Sequence, residues 1–275
     1  MVTATFRFFG ELNAFLPRAR RERSFTSACA RQATVKHMIE ALGVPHTEVE
    51  ALLVNGQESP FGRVLCEGDQ VEVHAHWVPA APRPARAAGL PVVLRERPRE
   101  RMRFVADAHL GGLARLLRMA GFDSLYDNGY HDDAVEALAV GQDRIVLTRD
   151  LELLKRREIV HGCYIHPLQP AQQLRALFER LDLGSSARPF SLCLHCNAPL
   201  RAVDKAGVLD RLPESVRTLH DSFTTCDSCA RVYWRGSHYQ RMAALLASIG
   251  TADQAPPGIG ARVESSDQSD HPTRA

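Results

Sequence analysis

Residues 144–150 read RIVLTRD, an apolar run that ends in a threonine, an arginine and an aspartate. A short apolar run of this kind is typical of a strand buried in a sheet. Such a strand has no need of a terminal carboxylate for packing, so Asp150 requires another explanation. Asp143 lies at the opposite end of the same strand, and we interpret it as a turn residue.

The segments on either side of this run alternate between strand and helix patterns. The predicted strands are RFVAD (103–107), DSLYD (123–127) and GCYIH (162–166), and the predicted helices are LGGLARLLRMAG (110–121), HDDAVEALAVG (131–141, with Gly141 after the last helical residue) and PAQQLRALFERL (170–181). A strand-helix-strand repeat of this kind predicts an α/β fold with a mostly parallel sheet and helices on both faces.

Residues 1–78 form a separate unit. Predicted strands at 3–10, 50–56 and 68–77 surround a helix that opens at Thr34 and closes at Gly43. This order resembles the ubiquitin-like β-grasp fold of small sulfur-carrier proteins. Those carriers act through a free C-terminal Gly-Gly, whereas this chain continues into a proline-rich segment, so we interpret the unit as a module that binds a protein partner.

We place the remaining domain boundaries where the amino-acid composition of the chain changes. Residues 79–101 are rich in proline, alanine and arginine, which predicts a semi-rigid linker. We assign 102–184 to the α/β domain, 188–249 to a cysteine-bearing unit with a terminal helix, and 250–275, which has few apolar residues, to a disordered tail.

Overall composition is that of a globular protein, with 45% hydrophobic residues, 24% charged residues and a net charge of +2. The N-terminus lacks the apolar core of a secretory signal, and no segment has the length and apolarity to span a membrane. The seven cysteines suit a reducing compartment with one metal site better than a disulfide framework. We therefore expect a cytoplasmic protein without membrane contact.

Aspartates follow the predicted strands of the α/β domain. Asp107 and Asp150 each come after an apolar strand, and Asp132 and Asp133 begin the next helix. Carboxyl ends of parallel strands meet at one edge of the sheet, where ligands bind. Clustered carboxylates repel one another unless a cation lies among them, and oxygen ligands favour Mg²⁺ or Mn²⁺. Asp132 and Asp133 are equally interpretable as helix caps, whereas Asp107 and Asp150 favour function.

Two C-x-x-C pairs, Cys193 with Cys196 and Cys226 with Cys229, are separated by 29 residues. Four thiolates arranged in this way complete a closed tetrahedral shell around Zn²⁺. We predict a structural zinc site, because the short segment between the pairs has little core of its own and the metal supplies folding energy.

A family resemblance rests on MRFVADAHLGGLARLLRMAGFDSLYD, DDAVEALA, RIVLTRD and CLHCNAPL…CDSCARVYWRGSHYQRM. These segments resemble the Mut-seven C-terminal RNase family, a branch of the PIN-like nucleases with an appended zinc ribbon, and residues 1–78 resemble the ubiquitin-like module often fused ahead of it. The resemblance implies a PIN-like fold and metal-dependent cleavage of RNA. By position, Asp107, Asp150 and either Asp132 or Asp133 match the family's acids.

The predicted mechanism uses one or two divalent cations at these acids to activate water and neutralise charge on the scissile phosphate. Thr148 is placed to orient a carboxylate or a water. Expected contacts to single-stranded RNA come from basic and aromatic side chains, which hold phosphates and stack on bases: Arg115, Arg118, Arg149, Trp234, Arg235 and His238. An equally consistent role for the aromatic residues near Trp234 is packing of the cysteine unit onto the nuclease domain.

Two other functions remain open at this point. The first is a non-catalytic, zinc-bearing RNA-binding or adaptor protein whose aspartates are structural. The second is a phosphotransfer or phosphatase domain with Asp107 as nucleophile. Against the second, His109 stands where a haloacid-dehalogenase motif requires another aspartate, and no lysine ends a later strand as in a response regulator.

Overall fold

The computed structural model describes residues 1–75 and 102–250. The linker expected at 79–101 and, apart from Gly250, the tail expected at 250–275 lie outside the described residues.

The N-terminal module is a five-stranded sheet with one α-helix. Its elements are β1 (Val2–Phe8), β2 (Phe25–Cys29), α1 (Val35–Ala41), β3 (Val49–Val54), β4 (Gln57–Glu58) and β5 (Gln70–Ala75). The strand order is β2-β1-β5-β3-β4, in which β1 and β5 are parallel and the other pairs antiparallel. This arrangement confirms the predicted β-grasp fold. Strand β2 was not predicted, because its residues FTSAC show little alternation between apolar and polar side chains.

Local chemistry explains the boundaries of α1 and of the β3-β4 hairpin. The hydroxyl of Thr34 accepts a hydrogen bond from the amide of His37 at 3.2 Å, which caps the first turn of α1. Gly43, with φ of +104°, ends the helix in a conformation that only glycine adopts at low cost. Asn55 and Gly56 both have positive φ, as a tight hairpin turn requires.

The central domain is a four-stranded, fully parallel sheet. Its elements are β6 (Phe104–Ala106), α2 (Gly111–Met119), β7 (Ser124–Leu125), α3 (Asp132–Gln142), β8 (Ile145–Thr148), α4 (Leu151–Lys155), β9 (Gly162–Tyr164) and α5 (Pro170–Leu181). The order is β7-β6-β8-β9. One boundary was predicted wrongly: α3 includes Gly141, because Asp143, with φ of 50°, supplies the left-handed residue that ends it.

Helices cover both faces of this sheet, as predicted. Phe104 and Ala106 of β6 point to one face, where they pack with residues of α2 and α5. Val105, between them, points to the other face and packs with residues of α3 and α4. Side chains that alternate between two buried faces account for the nearly continuous apolar letters of β6 and β8.

The cysteine-bearing unit is a three-stranded antiparallel sheet with two helices. Its elements are β10 (Leu200–Val203), α6 (Glu214–Leu219), β11 (Phe223–Cys226), β12 (Val232–Trp234) and α7 (Ser237–Ser248), with the order β10-β11-β12. Leu246 of α7 is buried in the core formed by α2 and α5. The unit is therefore anchored to the α/β domain at its C-terminal end.

The β-grasp module contacts the edge strand β9 of the central sheet. A carboxylate oxygen of Glu48 accepts the backbone N–H of Tyr164 at 2.7 Å, and the other forms an ion pair with Arg180. Nε2 of His46 lies 3.1 Å from the carbonyl oxygen of Ile159. The edge of a sheet presents unpaired backbone groups, and here the module satisfies one of them.

Candidate functional site

Two strand ends bring Asp107 and Asp150 to the carboxyl edge of the central sheet. Asp107 follows β6 directly, and its backbone N–H donates to the carbonyl oxygen of Leu147 in β8 at 3.0 Å. Asp150 follows β8 by two residues and begins α4. Since β6 and β8 are parallel neighbours, both acids lie at the edge where open α/β sheets bind ligands.

Thr148 connects these two acids through one hydroxyl group. Its Oγ1 donates to Oδ2 of Asp107 at 2.7 Å and accepts the backbone N–H of Asp150 at 2.9 Å. The side chain of Thr148 is fully buried, so it holds both hydrogen bonds away from bulk water. The hydroxyl therefore orients the carboxylate of Asp107, one of the two roles expected of Thr148.

Each acid also accepts a local backbone hydrogen bond. Oδ1 of Asp107 accepts the N–H of Ala108 at 2.6 Å, and Oδ1 of Asp150 accepts the N–H of Glu152 at 2.8 Å, capping α4. Asp150 is exposed and Asp107 is half-buried. Capping fixes one oxygen of Asp150 without enclosing its carboxylate, so a structural role and a ligand-binding role are compatible at this residue.

Asp132 and Asp133 begin α3, and both form ion pairs with Arg156. The guanidinium lies 3.5 Å from Asp132 and 2.6 Å from Asp133, and it contacts Glu136 at 2.7 Å. The hydrogen bonds that Arg156 donates to Asp133 and Glu136 raise its pKa above the ordinary value. Glu136, one helical turn after Asp132, was not singled out in the sequence, although its spacing places it on the same helix face.

The acids of the sheet edge do not converge as tightly as the prediction of one shared cation site suggested. Within residues 1–75 and 102–250, the four cysteines form the one group of three or more metal-binding side chains whose ligand atoms all lie within 4.8 Å of one another. Carboxylates repel one another when no cation separates them. Asp132 and Asp133 form ion pairs with Arg156.

The arginines expected to contact RNA lie in different environments. Arg115 is exposed on α2 and Arg149 is half-exposed beside Asp150. Arg118 is buried, and its guanidinium donates to the carbonyl oxygens of Ser124 at 2.9 Å and His195 at 2.8 Å. The expectation that Arg118 faces RNA is therefore wrong: it holds the first C-x-x-C turn against the α/β domain.

The four cysteines of the two C-x-x-C pairs form a compact cluster. The Sγ atoms of Cys193 and Cys229 are 3.5 Å apart and those of Cys196 and Cys226 are 3.4 Å apart. Both separations far exceed the roughly 2.0 Å of a disulfide. They suit four thiolates placed around one ion at Zn–S distances of about 2.3 Å. The donor set and its spacing therefore fit a tetrahedral zinc site.

Hydrogen bonds favour a thiolate at Cys193. Burial raises the pKa of this thiol, but the hydroxyl of Tyr233, 3.1 Å from the sulfur, and the backbone amides of Cys196 and His195 outweigh burial and lower the pKa to about 6. Metal-bound cysteine is deprotonated, so this environment suits Cys193 as a ligand, whereas burial raises the pKa of the neighbouring Cys196 and Cys229.

A polar network docks the first C-x-x-C turn onto β7. Asn197, with φ of 68°, accepts the backbone N–H of Ser124 at 3.0 Å and donates to Asp123 at 2.6 Å. Asp123 also forms two hydrogen bonds with Arg144. Burial alone raises the pKa of Asp123, but these partners outweigh it and the net shift is downward. We had not identified Asn197 or Arg144, because their partners are distant in the sequence.

In segment 231–242, some side chains pack against the protein and others are exposed. Trp234 is half-buried against the small core that includes Phe223, whereas Arg235 and His238 are exposed. The guanidinium of Arg235 lies 5.7 Å from the ring centre of Tyr239, and that ring packs on Phe190 at 4.3 Å. Packing therefore explains the presence of Trp234 and Tyr239, whereas Arg235 and His238 remain exposed.

The fold and these clusters define an α/β protein with acids at the carboxyl edge of a parallel sheet, a β-grasp module before it in the chain and a cysteine cluster after it. Comparison with protein families gives the particular family. The model of the Mut7-C RNAse domain matches residues 102–246, more than half of the 275-residue chain, and that of the Mut7-C ubiquitin domain matches residues 1–79. The chain belongs to the Mut7-C RNase family, which confirms the resemblance and indicates a nuclease.

Two solved structures are similar to part of the chain. The crystal structure of H. volcanii small archaeal modifier protein 1 is 19% identical, covers 27% of this chain and 98% of its own, and has a TM-score of 0.23. The crystal structure of SAMP1 from Haloferax volcanii is 18% identical, covers 29% of this chain and 99% of its own, and has a TM-score of 0.24. No curated relative matches the chain.

Across the described ranges, every helix is too short or too polar to cross a bilayer.

Proposed function

We propose that this protein is a divalent-metal-dependent ribonuclease that hydrolyses phosphodiester bonds of RNA at the carboxyl edge of its parallel sheet. The observation that carries the proposal is the hydroxyl of Thr148, which donates to Asp107 and accepts the amide of Asp150. A buried hydroxyl that orients a carboxylate is what a preorganised ligand site requires. Neither β6 nor β8 needs this arrangement for its own hydrogen bonding.

In this proposal Asp107 and Asp150 bind Mg²⁺ or Mn²⁺ together with Asp132 or Asp133. The residues fit such an ion by their chemistry, since hard divalent cations take carboxylate oxygens. The ion, when bound, lowers the pKa of water and neutralises charge that develops on the phosphate. Asp132 and Asp133 are accessible to an ion from solvent, because the side chain of Asp133 is 93% exposed and that of Asp132 is 46% exposed.

The chain's own residues perform the remaining tasks. Thr148 keeps one oxygen of Asp107 fixed by its hydrogen bond, so the other groups at the edge meet a carboxylate of defined orientation. Arg149, half-exposed next to Asp150, and Arg115, exposed on α2, supply positive charge for the phosphates of single-stranded RNA. Arg235, His238 and the exposed part of Trp234 extend this surface onto the cysteine unit.

We assign Zn²⁺ to Cys193, Cys196, Cys226 and Cys229 as a structural ion. The closed set of four sulfurs leaves no position for a substrate, which separates this site from the catalytic one. We also place the activity in the reducing cytoplasm, where thiols such as these persist.

One observation favours a second candidate function, a non-catalytic RNA-binding or adaptor protein. Arg156 already forms ion pairs with Asp132, Asp133 and Glu136, so these acids have a structural partner without any metal. The two functions differ in one measurable respect, because only the first predicts that RNA is cleaved.

The deciding experiment incubates the purified full-length protein with single-stranded RNA and Mn²⁺ or Mg²⁺, with and without EDTA, beside Asp150→Asn. We expect cleavage that EDTA abolishes and that the substitution lowers by at least about 100-fold, since a catalytic metal contributes several kcal/mol. Asp143→Asn is the matched control, because Asp143 lies at the opposite end of β8 and asparagine tolerates its left-handed conformation.

Each result decides between the two functions. Undiminished cleavage by Asp150→Asn contradicts the proposed site. No cleavage of any RNA by the wild-type protein, with either metal, favours the adaptor.

A further inference from the structure

A cleft lies between the β-grasp module and the carboxyl end of β9. It has a volume of about 270 Å³ and is lined by Glu11 and Ala14 of the module and by Tyr164, His166, Gln173 and Arg180 of the α/β domain, with apolar side chains between them. It is smaller than the roughly 300–1,000 Å³ of pockets for drug-sized molecules. Its size therefore suits one planar group and not an extended ligand.

The cleft opens on the same sheet edge as Asp107 and Asp150. Strands β8 and β9 are parallel, with Thr148 beside Tyr164, and the amide of Ile165 in the cleft wall donates to the carbonyl oxygen of Thr148 at 2.9 Å. One hydrogen bond thus separates the cleft wall from the residue that orients Asp107. The cleft therefore lies at the end of β9, the strand next to β8 in the sheet.

Aromatic rings line the cleft, and its wall contains a buried donor without a partner. The rings of Tyr164 and His166 are 4.7 Å apart between centres, and Phe15 of the module lies 5.3 Å from His166. Nε of Arg180 is buried and has no hydrogen-bond partner in the part of the chain that the structure describes. A buried donor without a partner is costly, and a ligand with an acceptor atom removes that cost.

The charges in the cleft favour a base over a phosphate. Glu48 already neutralises Arg180 by an ion pair, and Glu11 adds a negative charge that repels phosphate. Partial burial lowers the pKa of His166, and the positive charges of Arg180 and Arg149 lower it further. The carboxylates of Glu48 and Glu11 act in the opposite direction, but the net shift is downward. The ring of His166 is therefore favoured in its neutral form at neutral pH. Neutral aromatic faces stack on nucleobases, and such stacking tolerates any base.

We propose that this cleft binds one nucleobase of the RNA strand next to the cleaved phosphate, so that the β-grasp module forms a wall of the substrate site. The base stacks on the aromatic side of the cleft and accepts a hydrogen bond from Arg180. This inference rests on the proposed function for its choice of RNA. It gives the module a role within the enzyme, alongside the protein partner expected from its fold.

The contacts between module and domain support a fixed wall. Glu48 is almost fully buried and binds both the backbone of Tyr164 and the side chain of Arg180, two residues that line the cleft. The same carboxylate therefore joins the module to the domain and shapes the cleft, so a base that binds there meets a preorganised site.

The test uses the full-length Asp150→Asn protein and single-stranded RNA with one 2-aminopurine, moved along the oligonucleotide in separate samples. We expect one position at which fluorescence changes on binding, because stacking on aromatic rings quenches the probe. Ala14→Phe, added to this background, fills the cleft from an exposed position. We expect it to weaken RNA binding at least about tenfold and to abolish the fluorescence change.

Ala28→Phe is the matched control, because Ala28 is exposed on β2 and does not line the cleft. Equal RNA affinity of the two phenylalanine variants overturns the proposal. His166→Ala provides a second variant with less risk of misfolding, and an unchanged 2-aminopurine signal in it also overturns the proposal. Cleavage by the wild-type protein is measured separately, so failure of the nuclease assay and failure of the cleft are distinguished.

Discussion

The cysteine cluster and the acidic sheet edge are two groups of side chains with the chemistry of metal ligands, and their geometry differs. The four cysteine ligand atoms lie within 4.8 Å of one another, whereas Asp132 and Asp133 bind Arg156 instead of joining Asp107 and Asp150. Carboxylates are charged at neutral pH and repel one another, and Arg156 supplies the positive charge beside those of α3. The difference teaches that the cysteine cluster is held by its own turns and sulfur contacts, whereas the acids of α3 are held by a neighbouring guanidinium.

The largest expected effect comes from breaking the cysteine cluster. Cys226→Ser removes a buried thiolate ligand, and structural zinc contributes on the order of 10 kcal/mol to the folding of small domains. We expect loss of bound zinc and unfolding of the cysteine unit, measured by metal analysis and thermal unfolding. Cys66→Ser, an exposed cysteine in the β-grasp module, is the control. Full zinc content in Cys226→Ser would refute the site.

A smaller effect is expected from Thr148, which supports the acidic edge without being a ligand. Thr148→Val keeps the shape of the side chain but removes the hydroxyl that orients Asp107. Loss of such a supporting hydrogen bond costs about 10- to 100-fold in metal affinity or activity. The measurement is RNA cleavage as a function of Mn²⁺ concentration.

Thr148→Ser is the matched variant, since serine retains the hydroxyl and loses only a methyl group. We expect serine to restore most of the activity that valine loses. Equal loss in both variants would mean that packing at this fully buried position, and not the hydrogen bond, is what matters.

The sequence predicted the elements of the central sheet because their signals are local. Strands β6 and β8 are continuous apolar runs, and Pro170 at the start of α5 marks a helix end. Each C-x-x-C pair is recognisable from four consecutive residues. By contrast, exposed and half-buried residues alternate in β2 of the module, but its sequence shows only weak alternation between apolar and polar residues. Its strand conformation therefore depends on pairing with β1.

The residues that support the sites were not predictable in the same way. Arg118 has the spacing of a solvent-exposed arginine beside Arg115, yet it binds carbonyl oxygens of residues more than seventy positions away. Asn197 and Arg144 meet at Asp123 from separate elements. Helical spacing predicts which face of the helix a side chain is on, but it does not predict which residues of another domain pack on that face. Partners that are distant in the sequence are therefore visible only in the structure.

The smallest expected effect concerns Arg156, which occupies the position of a cation among the acids of α3. Under the proposed function, Arg156→Gln removes a positive charge that competes with the metal for Asp132 and Asp133. Exposed ion pairs contribute about 0.2–1 kcal/mol and weaken with salt. We therefore expect the Mn²⁺ concentration for half-maximal cleavage to fall by up to about fivefold at low salt, with a smaller change at high salt.

Arg157→Gln is the control for this last prediction, because Arg157 is the next residue, has a side chain that is 93% exposed and pairs only at 3.9 Å with its neighbour Glu158. Both substitutions remove one positive charge from the same loop, so a general electrostatic effect changes them equally. A lower Mn²⁺ requirement in Arg156→Gln alone means that Arg156 holds the acids of α3 apart from the sheet edge until an ion replaces it. A higher requirement means instead that Arg156 positions those acids for the ion, and the acidic edge is then preformed in the same sense as the cysteine cluster.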